Sequence, residues 1–514
     1  MYKLNVYQKG NVIKEATIQE GESILDAFQN QGIYISAACG GTGKCGKCGV
    51  KILKGDIPVQ EADRRFFSEE EIKEGMRLSC LAKAIGDLEV EIVTDTEEEF
   101  EIIAEGGQAG VEGDMGIAID IGTTTIAVSL VRMSDYQVVD TVATVNHQRS
   151  FGGDVISRIQ AANEGDLENL SKAVRKDLYE SIVKVCEKHA CPVKELKLIT
   201  IAGNTTMGHL LMGFSCETLG VSPFTPVDIS AIETDAVEMF GAFGMTEPVS
   251  IKLVPGITTY VGADIVAGML ETGFDQKQEV SVLIDLGTNG EMGIGNKDKI
   301  MVTSTAAGPA FEGGNISCGV GGIPGAISGV TIDGEQVSVT TIGDAKPLGI
   351  CGTGVVETVY ELVKEELVDE AGGLEEDYFD DGFKLADDKD GNPITFTQKD
   401  VREIQLAKSA IRAGMETLIK RYGVGFDEIS KVYLAGGFGY KMDVAKAVGI
   451  GMFPEELLPK IEAIGNSSLK GAIDYMDEKD NQARAQKIVD LSEEISLATD
   501  KTFNDLYMEY MYFE

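Results

Sequence analysis

Residues 115–131, MGIAIDIGTTTIAVSLV, place an aspartate and a Gly-Thr turn between two apolar runs, and residues 280–295, VSVLIDLGTNGEMGIG, repeat the pattern. Each copy predicts a strand, a tight turn and a second strand. Because the copies begin 165 residues apart, the repeat indicates two similar α/β halves rather than a solenoid. The sequence therefore predicts a duplicated α/β body at 115–514, with halves at about 115–279 and 280–514.

Both turns have the composition of phosphate loops. Glycine amides and threonine hydroxyls can bind phosphate, and an aspartate at a strand end can hold Mg²⁺ or its waters. Neither turn is a Walker A loop, which needs Gly-Lys-Ser/Thr at the start of a helix. The predicted phosphate and Mg²⁺ residues are Asp120, Gly122, Thr123 and Thr124 in the first loop, and Asp285, Gly287, Thr288 and Asn289 in the second.

Three further segments of the body resemble parts of a nucleotide site. KVYLAGGFG (431–439) predicts a strand that runs into Gly-Gly and then a helix, so that backbone and a helix N-terminus can approach a nucleotide. STAAGPAFEGGNI (304–316) supplies another glycine turn, at Gly308. A helix is predicted at 399–422 after a capping box of Thr397 and Asp400. Lys408 interrupts its apolar stripe, which predicts a cleft beside that lysine.

A separate cluster of thiols lies near the N-terminus. CGGTGKCGKC (39–48) holds Cys39, Cys45 and Cys48, and Cys80 follows after 31 intervening residues. Three ligands on one glycine-rich loop and a fourth from elsewhere are typical of a [2Fe–2S] site. A structural zinc site is the alternative, but it usually pairs two CxxC motifs and only one is present. The other five cysteines are predicted to be buried free thiols: Cys186, Cys191, Cys216, Cys318 and Cys351.

Residues 1–94 resemble a β-grasp ferredoxin domain. Strands are predicted at 2–8, 11–18 and 88–93, with a helix within 21–33. The five-residue gap after Cys39 is closer to adrenodoxin-like than to plant-type ferredoxins. This unit carries 12 basic and 14 acidic residues, whereas the remainder carries 33 and 70. Residues 95–114 are acidic and glycine-rich, so we expect a linker that lets the ferredoxin unit swing between partners.

Overall charge and hydropathy exclude several classes of partner. The net charge of −39 and pI near 4.4 disfavour binding to nucleic acid or to an anionic membrane. The sequence contains no run of 18 or more apolar residues, so no transmembrane helix is predicted. The segment MYKLNVYQKG lacks the basic and apolar regions of a signal peptide. We therefore expect a cytoplasmic protein, where clustered thiols more often hold metal than form disulfides. The segment 375–393 is predicted as a charged insertion or loop.

The motifs of the body together resemble the actin-like ATPase superfamily of sugar kinases, Hsp70 and actin. The expected fold is an α+β ferredoxin (β-grasp) domain followed by an α/β actin-like ATPase of the duplicated ribonuclease H-like type. The resemblance implies ATP and Mg²⁺ as ligands. Under it, Gly436, Gly437 and Phe438 contact adenosine, whereas Asp264 and Glu291 orient the hydrolytic water. A Rossmann dehydrogenase is disfavoured, because no GxGxxG joins a strand to a helix.

The chain as a whole resembles the reductive activators of corrinoid proteins. The matching stretches include NHQRSFGGDVISRI (146–159), ITIAGNTTMGHLLMG (199–213), AAGPAFEGG, GICGTG and the tail FNDLYMEYMYFE. The resemblance implies ATP-dependent reduction of a Co(II) corrinoid to Co(I) on the corrinoid protein of a methyltransferase system. It also implies an external low-potential electron donor and allows a homodimer. The short linker predicts that the extra middle domain of the longest members is absent.

Three other functions remain open from the sequence. A metabolite kinase with an accessory iron–sulfur domain would need a substrate pocket and a catalytic base in the cleft. An ATP-driven activator of another low-potential enzyme, such as a dehydratase, would place cysteines inside the ATPase body instead of before it. A non-enzymatic actin-like scaffold would have no use for a cluster.

Overall fold

The computed structural model describes residues 1–93, 110–334, 336–389 and 391–513. Most of the predicted linker, residues 95–109, lies outside the described residues, as do residue 94 and Glu335, Asp390 and Glu514. Within these described ranges, no helix combines the length and the apolar character that a membrane span would need.

The N-terminal residues fold into a five-stranded mixed sheet with the order β2-β1-β5-β3-β4. The predicted strands at 2–8 and 11–18 are confirmed. The predicted helix begins after Ser23, whose hydroxyl oxygen accepts a hydrogen bond from the backbone amide of Asp26. The strands are β1 (Tyr2–Gln8), β2 (Asn11–Ile18), β3 (Gly49–Lys54), β4 (Met76–Leu78) and β5 (Leu88–Ile92), and the helices are α1 (Ile24–Asn30), α2 (Asp63–Phe66) and α3 (Glu69–Lys73).

The first half of the body is built on a six-stranded sheet with the order β10-β11-β9-β6-β7-β8. Its strands are β6 (Met115–Ile121), β7 (Thr125–Arg132), β8 (Gln137–Val145), β9 (Leu196–Gly203), β10 (Ile232–Asp235) and β11 (Ser250–Leu253). Its helices are α4 (Val155–Ala161), α5 (Leu167–Lys188), α6 (Thr205–Met212), α7 (Ala236–Phe240) and α8 (Ala263–Thr272).

The second half is built on a sheet with the order β21-β20-β12-β13-β14-β22. Its strands are β12 (Val280–Leu286), β13 (Gly290–Gly295), β14 (Ile300–Thr305), β20 (Ile429–Ala435), β21 (Ile461–Gly465) and β22 (Ser492–Glu494). Two smaller sheets contain β15 (Ala326–Asp333), β16 (Gln336–Thr341), β17 (Gly349–Ile350), β18 (Phe383–Asp387) and β19 (Pro393–Phe396). The helices are α9 (Gly352–Lys364), α10 (Gln398–Tyr422), α11 (Gly437–Lys441), α12 (Val444–Gly449), α13 (Ser467–Asp474), α14 (Asn481–Leu491) and α15 (Lys501–Glu509).

The two large sheets share one plan. In each, three antiparallel strands form a meander, and two parallel strands extend the sheet beyond the first strand, as β11-β9-β6-β7-β8 and as β21-β20-β12-β13-β14. The two Gly-Thr turns occupy the same position, between the first and second strands of the meander. The internal repeat in the sequence therefore corresponds to a structural repeat.

The two halves meet through α8 and α13, which approach closely because glycines lie at the contact. A Cβ atom on Gly471 would lie 2.0 Å from the Ala267 carbonyl oxygen, and one on Gly268 would lie 2.8 Å from Ser467 Oγ. Such distances leave no room for a side chain. This contact brings the N-terminal end of α13 next to the first strand of the opposite half, where Asp120 lies.

The segment predicted as a charged insertion or loop at 375–393 is not all loop. It contains the strand β18 and the turn of a β-hairpin, in which β18 pairs with β19 (Pro393–Phe396) at the end of the segment. The hairpin buries Phe383, Leu385, Ile394 and Phe396 against the core of the second half, although charged residues surround them in the sequence. Burial of these four apolar side chains explains why the segment folds.

Candidate functional site

The thiol loop, which we define as residues 34–48, turns tightly between α1 and β3. Four of its glycines have positive φ angles between 60° and 78°, a conformation that other residues rarely adopt. A Cβ atom on Gly43 would lie 2.7 Å from Leu81, and one on Gly46 would lie 2.5 Å from Phe66. Glycine is therefore required at these positions both by backbone conformation and by the space available.

The four predicted cysteine ligands lie in this unit as two pairs. The sulfurs of Cys48 and Cys80 are 3.3 Å apart, and their shared hydrogen bond lowers the pKa of the Cys48 thiol to about 6. Cys39 and Cys45 contact each other through their side chains, and the Lys44 amide donates to Cys39 Sγ at 3.4 Å. Among the described residues, no three potential ligands converge as one mononuclear metal ion would require. Two thiols for each of two irons is the donor set of a [2Fe–2S] cluster.

A cleft between the halves gathers the predicted acidic residues. Asp120, at the end of β6, accepts hydrogen bonds from Asn466 Nδ2 at 2.8 Å and from Ser468 Oγ at 2.7 Å. These two partners stand at the start of α13 and were not predicted from the sequence. Because they belong to the second half, the carboxylate of the first half is oriented by residues from across the cleft.

The carboxyl groups in the cleft raise one another's pKa. Burial, reinforced by Asp120, raises the pKa of Asp264 to about 7. Burial, together with Asp264, Asp120 and Glu312, raises the pKa of Asp285 to about 8. The pKa of Glu291 is also well above its usual value, from burial and then from Asp264, Asp285 and Asp120. In the described residues these carboxylates do not converge as a three-ligand metal site. A Mg²⁺ ion bound through one or two of them, with waters and nucleotide phosphates as its other ligands, would relieve their repulsion.

Each predicted phosphate loop is a hairpin turn. In the first, the Gly122 amide donates to the Thr125 carbonyl at 3.0 Å, and a Cβ atom on Gly122 would lie 2.6 Å from that oxygen. In the second, the Gly287 amide donates to the Asn289 carbonyl at 3.1 Å. The Gly122 and Gly287 amides are therefore already bonded within their turns. Binding of phosphate by the other amides and the threonine hydroxyls of the two loops stays a prediction.

The Gly-Gly segment approaches the second phosphate loop. Gly436 has a φ of 93°, and a Cβ atom there would lie 2.5 Å from the Leu286 carbonyl and 2.9 Å from Asp285 Oδ1. Gly437 begins α11 and has open space around its Cα atom. Gly308 also faces open space, with a φ of 80°. The side chain of Phe438 lies outside the described part of the structure.

Comparison with protein-family models matches three regions of the chain. A 2Fe-2S iron–sulfur cluster binding domain covers residues 10–84, the RACo middle region covers 115–277, and the C-terminal domain of RACo, described as the ASKHA domain, covers 279–514. A curated relative, the corrinoid activation enzyme RamQ of Eubacterium limosum, is 34% identical over an alignment of 414 residues, and the match covers 76% of this chain and 69% of the relative. The chain belongs to the family of reductive activators of corrinoid proteins.

Two further relatives of this activator have similar descriptions. The [Co(II) methylated amine-specific corrinoid protein] reductase of Methanosarcina barkeri is 28% identical over 430 residues, 76% of each chain. A solved structure described as a reductive activator for corrinoid, iron–sulfur protein has a TM-score of 0.71 and 28% identity, and the match covers 100% of this chain and 98% of that one. The RACo middle region corresponds here to residues 115–277, which form the first half of the body. The absence of an extra domain beyond these residues stays a prediction.

Glu312 is a residue of the activator's cleft that sequence reasoning missed. It ends a 3-10 turn at Pro309–Glu312. Its carboxylate accepts a hydrogen bond from Thr288 Oγ1 at 3.0 Å and another from the Thr124 hydroxyl. Burial raises its pKa, against the effect of these two bonds. The sequence feature that could have identified Glu312 is its position as the one acidic residue in the glycine-rich stretch AAGPAFEGG.

Lys408 does not have the position that the sequence predicted for it. Its ammonium donates to the carbonyls of Tyr510 at 2.8 Å and Tyr512 at 2.6 Å, and it lies 4.9 Å from the centre of the Phe513 ring. The side chain is buried. The apolar stripe of α10 is interrupted because the C-terminal tail covers it there and offers carbonyl oxygens to a cation. Lys408 therefore anchors the C-terminal tail, and its ammonium is not directed at the predicted nucleotide site.

The ferredoxin unit of the activator is docked on the body. The contact is made by the thiol loop and by residues 146–153, which we call the docking segment. Three hydrogen bonds join them: Ser150 Oγ to the Ile35 carbonyl (2.6 Å), the Ala37 amide to the Arg149 carbonyl (3.2 Å), and the Gly153 amide to the Ala38 carbonyl (3.0 Å). The Gln29 amide side chain also donates to the Ser150 carbonyl. The expected swinging of the unit would first require these contacts to break.

Aromatic packing adds to the docked contact. The ring of Tyr34 lies 5.6 Å from the His147 ring and 6.3 Å from the Phe151 ring, measured between centroids. The ammonium of Lys176 lies 5.8 Å from the Tyr34 ring. His147 is held in turn by Asp177, whose carboxylate is 2.7 Å from its Nδ1. Backbone pairing and a packed tyrosine together define one orientation of the thiol loop.

Proposed function

We propose that this protein carries out ATP-dependent reductive activation of a corrinoid protein. One electron passes from a reduced [2Fe–2S] cluster to an inactive Co(II) corrinoid, which becomes Co(I), while the cluster is left oxidised. ATP and water yield ADP and phosphate. The observation that carries the proposal is that one chain of this family holds a paired four-thiol site and an acidic nucleotide-type cleft, with the thiol loop docked beside the cleft.

The energetics explain why an electron carrier and an ATPase would share a chain. Plant-type [2Fe–2S] centres have potentials near about −400 mV, and the Co(II)/Co(I) couple of corrinoids is expected to lie lower. For one electron, every ~59 mV costs a factor of ten in the equilibrium constant. Nucleotide-dependent closure of the cleft can bind one state of the partner more tightly than the other. The shift that it produces equals that difference in affinity.

The proposed roles of the residues follow their placement. Cys39, Cys45, Cys48 and Cys80 would hold the cluster, which supplies a one-electron centre. In the cleft, Asp120 and Asp285 would hold Mg²⁺ or its waters, and Asp264 and Glu291 would orient the hydrolytic water. The remaining proposed nucleotide residues are Gly122, Thr123, Thr124, Gly287, Thr288, Asn289 and Gly308 for the phosphates, and Gly436, Gly437 and Phe438 for adenosine.

The partners follow from the electron balance. The electron acceptor is the corrinoid protein of a methyltransferase system, because Co(I) is the form that accepts a methyl group. An external low-potential donor must restore the reduced state after each turnover, because the protein would carry one cluster. We place the reaction in the cytoplasm, where the thiols stay reduced. The homodimer stays a prediction, which light scattering tests.

The proposal is tested with the anaerobically purified, dithionite-reduced protein and a Co(II) corrinoid protein from a methyltransferase system. With ATP and Mg²⁺ we expect the optical spectrum of Co(I) to appear, and without nucleotide we expect little change. The Asp120→Ala variant is the matched control, since it keeps the thiol site. Phosphorylation of a small metabolite without Co(I) formation would identify a kinase and contradict the proposal.

A further inference from the structure

The docking segment has a second face, which holds the first phosphate loop. The Asn146 amide donates to the Thr124 carbonyl at 2.8 Å, and Asn146 Nδ2 donates to the Gly122 carbonyl at 2.9 Å. Between them, Arg158 Nη2 donates to the Thr123 carbonyl at 2.6 Å. Three successive carbonyls of the loop are thus held by this one region of the chain.

Arg158 ties the two faces together. Its guanidinium is fully buried. Besides the Thr123 bond, it donates to the Gly152 carbonyl at 2.9 Å and to Gln148 Oε1 at 3.4 Å, and both acceptors belong to the docking segment. One planar group therefore fixes the phosphate loop and the docking segment relative to each other. Its hydrogen-bond partners in the described residues include no carboxylate, so the group is not part of an ordinary ion pair.

The same bonds orient the amides that phosphate would use. In a planar trans peptide, the carbonyl of one residue and the N–H of the next point in opposite directions. Holding the carbonyls of Gly122 and Thr123 therefore directs the N–H groups of Thr123 and Thr124 away from the docking segment. The arrangement that docks the thiol loop is also the one that prepares the phosphate loop for an anion.

We propose that the docking segment couples the nucleotide cleft to the ferredoxin unit, with Asn146 and Arg158 as positioning residues, so that nucleotide at the first phosphate loop strengthens docking of the thiol loop. The inference rests on the proposed function and adds its regulation. Coupling of this kind is reciprocal, so docking strengthens nucleotide binding by the same factor, typically about 5–150-fold.

Hydrogen exchange of the full-length, cluster-loaded protein tests the coupling directly. Adding a non-hydrolysable ATP analogue with Mg²⁺ should slow exchange of the amides in residues 34–41 and 147–153 by a factor in the range of about 5–150. The bonded amides of Ala37 and Gly153 report the contact itself. Calorimetry on the same sample measures nucleotide binding independently.

A substitution in the contact between the thiol loop and the docking segment, Gly153→Ala, tests the coupling against a matched control. A Cβ atom on Gly153 would lie 3.0 Å from Ala38 Cβ and 3.1 Å from its carbonyl oxygen, so the methyl group of Gly153→Ala displaces Ala38 and weakens the contact. Gly86→Ala is the control, because Gly86 has open space around it in the same ferredoxin unit. We expect Gly153→Ala to lose the nucleotide response of residues 34–41 and to weaken nucleotide binding by the coupling factor. Gly86→Ala should retain both.

Arg158→Lys separates positioning from folding, because lysine keeps a cation but cannot hold two carbonyls in a fixed plane. We expect it to bind nucleotide more weakly, by the coupling factor, and to lose the exchange response of the thiol loop. If wild-type protein binds nucleotide and residues 34–41 show no change in exchange, this inference is overturned while the proposed function stands. If no nucleotide binds at all, the proposed function fails and the inference fails with it.

Discussion

Thr124 and Thr288, which belong to opposite halves of the body, donate hydrogen bonds to the same carboxylate, that of Glu312. Each hydroxyl lies in a predicted phosphate loop. Glu312 therefore occupies donors that a nucleotide phosphate would use, and it brings negative charge to the same place. ATP would have to displace this carboxylate from at least one loop.

Replacing Glu312 by Gln should tighten nucleotide binding. Removing the carboxylate charge removes electrostatic repulsion of the phosphates, so we expect Kd for ADP to fall by about tenfold, which is about 1.4 kcal/mol. Calorimetry measures the change. Glu456→Gln, on an exposed turn, is the control and should have no effect. Weaker binding in Glu312→Gln would instead indicate that this carboxylate supports the cation.

Replacing Asp120 or Asp285 by Ala should lower ATP turnover by more than about 100-fold, the scale seen when one preorganised group is removed from an active site. The visible spectrum of the iron–sulfur site should not change, because the thiols belong to a separately folded sheet. Phosphate release and absorbance measure the two effects. Asp333→Asn, an exposed site in the same body, serves as the control. Wild-type turnover in either variant would exclude these carboxylates from the reaction.

Iron and sulfide analysis tests the thiol site. We expect two irons and two acid-labile sulfides per chain, and an S = 1/2 EPR signal after reduction. Cys45→Ser should abolish the cluster, whereas Cys186→Ser should leave it unchanged, because Cys186 is buried in the body. Tetrahedral zinc without labile sulfide would contradict the assignment.

Binding of Mg²⁺ with nucleotide should strengthen as pH rises from about 6 to about 8.5, because a metal binds the deprotonated ligands. Burial and neighbouring acids raise the pKa of Asp264 to about 7 and that of Asp285 to about 8. Both groups therefore hold protons at pH 6 in the cation-free protein and release them on binding. Calorimetry in two buffers of different ionisation enthalpy counts the protons. Release that is the same at pH 6.5 and pH 9 would contradict the shifts.

The same groups affect stability in the opposite direction. A carboxyl whose pKa is raised by folding binds more protons in the folded state than in the unfolded state. Its contribution to the free energy of unfolding therefore falls as pH rises from about 4 towards the folded pKa. We expect Mg²⁺ with nucleotide to raise the melting temperature more at pH 8 than at pH 6.

Lys408→Met should destabilise the C-terminal tail without affecting the nucleotide. The loss of two hydrogen bonds from a cation to the carbonyls of Tyr510 and Tyr512 is expected to cost about 2–4 kcal/mol. Hydrogen exchange over residues 505–513 should become faster. The matched control is Lys399→Met, at an exposed position on α10. A large change in Kd for ADP would support the sequence-based position of Lys408 in the cleft.

Local patterns in the sequence predict the elements and most of the cleft. The capping box of Thr397 and Asp400 is present at the start of α10, and the strand and turn containing Asp120 and its counterpart at Asp285 recur in both sheets. These features depend on residues close together in the chain, where periodicity and turn chemistry operate. The repeat predicts that the two halves share one plan, because similar sequences adopt similar folds, but it does not give the strand order itself.

Features that depend on distant residues were not predictable. Lys408 is explained by a tail about a hundred residues later in the chain, and Asp120 by Asn466 and Ser468, more than 340 residues away. The docking of the thiol loop rests largely on backbone bonds and a few glycines, which leave little trace in residue type. The sequence analysis expected a mobile ferredoxin unit because that unit is nearly neutral and the segment after it is acidic and glycine-rich. Neither feature indicates that the unit packs against the docking segment.

Two of the 3-10 turns of the body, at His147–Ser150 and at Pro309–Glu312, each follow the third strand of the meander in their half. If the halves descend from one duplicated ancestor, these turns are the same inherited segment in two copies. The turn at 147–150 then acquired the contacts that dock the ferredoxin unit, and the turn at 309–312 acquired Glu312, whose carboxylate bonds to both predicted phosphate loops. The ATPase body would then have gained its contact with the electron carrier through divergence of an existing turn. No new structural element would have been added to the body.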